Sequence, residues 1–166
     1  MKIRIKILLI LLSFNSFLLS QNSIKVDAIK ADTIKWSNYQ MIIELPIKSH
    51  SHYQTYEEGF FQTISCFLDS AVITIHCGSM VNLPLIDQTK YTVTSKFVLD
   101  NDVRVLRGYY DIFHNGIIRK KYFREENYFK SGITVMYENV DESDLRYYDY
   151  ILNNIKIKNM FYPRKR

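Results

Sequence analysis

The segment VRVLRGYYDIFHNGIIRKKYFRE, Val103–Glu125, decides the fold. At its centre, Asn115-Gly116 is the dipeptide best suited to a two-residue type I′ turn, in which both central residues need a positive φ. Taking those two residues as the turn sets the register of the flanking strands. Asp111 then faces Lys120, Tyr109 faces Tyr122, Arg107 faces Arg124, and Phe113 meets Ile118 at the tip. Side chains alternate along a strand, so these residues share one face. A long antiparallel hairpin is predicted.

The surrounding sequence keeps the same period of two. Tyr39–Pro46 (YQMIIELP) reads as a strand stopped by proline, which cannot continue a hydrogen-bonded ladder. FFQTISCF and AVITIHC read as two strands around a tight LDSA turn. Lys90–Leu99 and Gly132–Val140 are β-branched and alternating, and read as further strands. The polar stretch HSHYQTYEEG, from His50, reads as a loop, and SMVNLPLIDQTK as a crossing loop or single helical turn. A short helix is also compatible with ADTIKWSN or SMVNLPL. After Val140 the period changes. Leu145, Tyr148, Ile151, Leu152 and Ile155 form a helical stripe, with Asp141, Glu142, Ser143 and Asp144 placed to cap its start. The predicted fold class is α+β: a mainly antiparallel sheet of six or seven strands with a C-terminal amphipathic helix packed on one face.

The chain has 166 residues. Its first twenty, with Lys2, Arg4 and Lys6 ahead of an apolar run from Ile7 to Leu19, read as a secretory signal peptide. The run is shorter than the roughly 20 apolar residues of a bilayer span, so no stable membrane insertion is expected after cleavage. Residues 21–160 are read as one globular α+β domain and 161–166 as a basic tail. The formal net charge of +5 includes the three leader cations and Arg164, Lys165 and Arg166. Without those six the body carries −1, which argues against nucleic acid as a partner, because such binding needs a basic face. The expected localisation is exported, periplasmic or secreted.

Two cysteines in an exported chain ordinarily suggest a disulfide. With Asp69-Ser70 as the turn, however, Cys66 lies opposite Ile73 and Cys77 opposite Gln62. Both thiols then sit on the face shared by Phe60, Ile64 and Ile75, about 13 Å apart along the ladder. A disulfide needs Cα atoms within about 7 Å. Cys66 and Cys77 are accordingly read as buried free thiols, with a longer turn or a bulge as the route to a bond. His76 points to the opposite face from Cys77, so the pair cannot clasp one metal ion or act as a nucleophile couple on a regular strand.

His50 and His52 face the same way in an extended segment and, with Glu57 or Glu58, are candidate zinc ligands. They lack a defined third and fourth partner, and no metal or other cofactor is expected. In the central hairpin the like-charged pair Arg107 and Arg124 calls for an anion, either Glu125 or Glu126 or a ligand. Arg107, Tyr109, Phe113, Tyr122 and Arg124 are therefore the candidate binding residues, since Tyr and Arg are enriched at interfaces. No Gly-rich phosphate loop, G-x-S-x-G elbow or H-E-x-x-H motif occurs.

The layout from NYQMIIELP through central hairpins to the closing helix ILNNIKI, over Tyr39–Ile157, resembles small PsbP/Mog1-type α/β domains. That resemblance implies a non-catalytic binding or accessory role and assigns no site residue. The expected function is an exported module acting on a protein partner, as an envelope factor, inhibitor or immunity-type protein. The competing readings are a metal- or cysteine-dependent hydrolase using His50, His52, His76 or Cys77, and a binder of carbohydrate or anionic polymer through the Tyr/Arg hairpin.

Overall fold

The computed structural model describes residues 29–66, 70–79, 83–87, 89–99 and 102–161. The segment read as a leader (1–20), residues 162–166 of the basic tail and residues 67–69, which include Leu68 and Asp69 of LDSA, lie outside the described residues, as does part of SMVNLPL. In chain order the strands are β1 (Ile29–Trp36), β2 (Tyr39–Pro46), β3 (Ser49–Tyr56), β4 (Gly59–Cys66), β5 (Val72–Gly78), β6 (Thr92–Leu99), β7 (Val103–His114), β8 (Ile117–Tyr128) and β9 (Ile133–Val140). A 3-10 turn at Glu142–Asp144 leads into helix α1 (Leu145–Asn153), and β10 (Lys156–Asn159) closes the fold.

Every strand pair is antiparallel. One sheet has seven strands in the order β3-β4-β5-β9-β8-β7-β6, and a second has three, β1-β2-β10. The α+β class holds, with β1, β2 and β10 forming a separate small sheet. The central hairpin pairs Asp111 with Lys120, Tyr109 with Tyr122 and Arg107 with Arg124, turning at Asn115 (φ 50°) and Gly116 (φ 78°).

The main core lies between the seven-stranded sheet and a layer made of the small sheet and α1. Ile64, Ile73, Ile75, Ile133, Val135 and Tyr137 meet Met41, Ile43 and Leu45 of β2 and Tyr148, Ile151 and Leu152 of α1. On the opposite face of the large sheet, described residues of the β5–β6 connection take part in a second, smaller cluster. Leu85, Ile86 and Tyr91 from that connection pack on Leu106, Phe123 and Met136.

Four local expectations are corrected. HSHYQTYEEG is largely strand β3, the edge of the large sheet; its side chains are mostly exposed, so it lacks the apolar alternation that marks a half-buried strand. ADTIKWSN supplies most of β1 and the turn at Ser37, not a helix. The acidic run before α1 provides no side-chain cap: Asp141 instead accepts a hydrogen bond from Lys121 Nζ at 2.9 Å. The β4–β5 turn is longer than two residues, which shifts the pairing by two so that Ile64 faces Ile73 and Cys77 faces Phe60.

Candidate functional site

A shift of two keeps every side chain on its face. Cys66 and Cys77 thus remain on the core side, both buried and with no disulfide among the described residues. Cys66 is now level with Ala71, bonded through backbone N–H to O at 3.2 Å. The two cysteines stand six residues apart along the ladder, about 20 Å, so the longer turn separates them further. Burial pushes the Cys77 thiol up to about 12.

In the central hairpin, α1 supplies the anion that the arginine pair requires. Arg124, 3% exposed, donates to Asp149 Oδ1 at 2.8 Å, to Asn153 Oδ1 at 2.8 Å and to Glu126 Oε1. Arg107 Nη2 lies 3.8 Å from the same Asp149 oxygen, to which Tyr137 also donates at 3.0 Å. Tyr128 donates to Glu126 Oε2 at 2.5 Å. Burial alone would lower the Arg124 pKa, but Glu126 and Asp149 outweigh it and hold it above its ordinary value. Arg124 is therefore an interior group and does not form part of a contact surface. Glu125, the other carboxylate considered for this pair, faces the opposite side of the sheet. Asp149 escaped the sequence reading because it lies on a helix distant in the chain, with no signal but its place on the polar side of the helical stripe.

The distal half of the hairpin differs. Pairing with β6 ends at Tyr109 and pairing with β9 ends at Tyr122, so Asp111–His114 and Ile117–Lys120 continue as a two-stranded arm about 13 Å long. Its base is pinned through a residue of each strand. Lys121, 6% exposed, donates to Asp141 and, at 3.1 Å, to Ser70 Oγ, while the Tyr110 hydroxyl donates to Asn139 Oδ1 at 3.2 Å. Tyr109 and Tyr122 are half-buried and meet edge to face at 6.3 Å, and Lys120 Nζ lies 4.3 Å from the Tyr109 ring centre. At the tip Phe113 is 76% exposed, Ile118 68% and Ile117 56%. Phe113 thus stands in solvent at the end of the arm, as do Ile117 and Ile118.

His50 and His52 lie on the same face of β3, opposite Ser65 and Thr63, and both are exposed. Among the described residues no three His, Cys, Asp or Glu side chains converge as metal ligands. His76, on the face opposite Cys77, is not solvated but fully buried. Phe61 stacks on it at 4.5 Å, and its Nε2 is 2.5 Å from the Tyr56 hydroxyl. Gly59 and Gly78 make room for that hydroxyl, which a Cβ at Gly78 would meet at 2.1 Å. Beyond His76, Thr134, Asn127 and Glu125 are also fully buried on this face. Glu125 Oε2 accepts the backbone N–H groups of Leu85 and Ile86 at 2.8 and 3.2 Å, and Arg104 Nη2 lies 3.7 Å from Oε1. Burial raises the Glu125 pKa despite those partners.

No protein-family model, no curated protein and no solved structure matches this chain.

Proposed function

We propose that this protein is a small exported, non-catalytic module that binds a protein partner through the tip of its β7–β8 arm. The observation that carries the reading is the arm itself: three large apolar side chains are held out in solvent on a ribbon whose base is fastened by Lys121 and Tyr110. A two-stranded ribbon is marginal alone, and exposed apolar groups clustered on one projection mark an interaction site. A fastened ribbon loses little conformational freedom on binding, which favours affinity. Export rests on the Lys/Arg-headed apolar leader. The Arg107–Arg124 pair has little to offer an anionic polymer, since Asp149 lies against both arginines and Glu126 also holds Arg124.

The test is a photo-crosslinking amino acid placed at Phe113, with Tyr53 as control, in cells producing the full chain. Tyr53 is also exposed, but it sits on β3 at the other edge of the sheet. A discrete adduct from Phe113 that is absent from Tyr53 and lost with Ile118→Asp supports the arm. Absence of an adduct at Phe113, or the same adduct from both positions, refutes it.

A further inference from the structure

The polar residues on the second face of the large sheet are neighbours in space. Phe61 pairs with His76, His76 with Thr134, Thr134 with Asn127, and Asn127 with Arg104. The row therefore runs straight across β4, β5, β9, β8 and β7, and Glu125 lies two residues from Asn127 on the same face of β8. His76, Thr134, Asn127 and Glu125 are all fully buried. Yet His76 Nδ1, Thr134 Oγ1, both side-chain polar atoms of Asn127 and Glu125 Oε1 make no hydrogen bond of normal geometry. The Asn127 amide favours the charged form of the Glu125 carboxylate.

We infer that this row is a binding site for internal water molecules, which bridge His76, Thr134, Asn127 and Glu125 on the second face of the large sheet. Native proteins rarely leave buried polar atoms unsatisfied, because each costs a sizeable part of a domain's stability. Five on neighbouring residues would cost more than a domain can spare. A buried water makes about three hydrogen bonds, so five such atoms correspond to about two waters. The lining is polar, and polar cavities hydrate where apolar ones stay dry. The Tyr56 hydroxyl occupies His76 Nε2, and Nδ1 is the ring nitrogen without a hydrogen bond.

The test is oxygen-17 magnetic relaxation dispersion on the purified protein, which counts long-lived internal waters. Thr134→Val keeps the side-chain shape and removes the hydroxyl; it should lower the count by at least one relative to wild type, while Thr134→Ser should retain it. An unchanged count in folded Thr134→Val overturns the inference. If that variant does not fold, a high-resolution crystal structure of wild type or Thr134→Ser decides. Solvent density bridging His76 Nδ1 and the residue 134 hydroxyl supports the site, and a direct bond between those two atoms overturns it.

Discussion

Replacing Arg124 by leucine separates the interior of the central hairpin from its tip. The guanidinium is 3% exposed and bonded to Glu126, Asp149 and Asn153. Asp149 retains Tyr137 and a partly exposed setting. Glu126, 4% exposed, is left with the Tyr128 hydroxyl alone. Removing one partner of a buried ion pair costs about 3–5 kcal/mol, mainly through the stranded charge. That is a large share of the roughly 5–15 kcal/mol that holds a domain together. With a urea slope of about 2 kcal/mol per molar, the midpoint should fall by about 1.5–2.5 M. Urea denaturation followed by fluorescence is a direct assay, because the single tryptophan, Trp36, packs on Phe60 at 6.0 Å in the main core. Adding Glu126→Gln removes the stranded charge and should recover more than half of the loss. A fall of less than about 0.5 M for Arg124→Leu, or no recovery in the double variant, would refute the buried cluster. Phe113→Ser at the tip should move the midpoint by less than about 0.25 M, as exposed substitutions commonly cost under 0.5 kcal/mol.

Gly78→Ala should destabilise by about 1–3 kcal/mol, since the new methyl collides with the Tyr56 hydroxyl and breaks its bond to His76; a neutral midpoint in the same urea assay would be inconsistent with the notch. At pH 8 the native protein should react with Ellman's reagent far more slowly than free cysteine, and both thiols should titrate only after unfolding, because both are buried and the Cys77 thiol is pushed up to about 12. Rapid native reaction at both would contradict that. Burial holds His76 below its ordinary 6.5. Its contribution to stability is therefore complete above pH 6.5 and is lost as pH falls toward the lowered value. Glu125, raised from 4.5, acts with the opposite sign: its contribution is complete below pH 4.5 and lost as pH rises through the raised value. His76→Gln should make the slope of the urea midpoint against pH between pH 5 and 7 less positive, or more negative, than in wild type, and an unaltered slope would mean that His76 does not titrate in that range.

What could be read from the sequence was local. Asn115-Gly116 needs only its own backbone preference to turn, and alternation then dictates which residues share a face, so the hairpin register and the inward placement of both cysteines followed without knowledge of the rest of the chain. The stripe from Leu145 to Leu152 marked α1 for the same reason. What the tertiary structure decided was everything that depends on who covers whom. β3 has a polar sequence because it is an edge strand with little to bury, and a pattern rule has no access to edge position. Arg124 and Tyr109 looked alike as hairpin residues, yet α1 lays Asp149 over one and leaves the other half-exposed, which moves Arg124 from the surface to the interior. His76 was correctly set opposite Cys77 but is buried, because the rings of Phe61 and Tyr56 pack against it. Alternation assigns sides of a sheet; only packing between distant segments determines whether a side faces water.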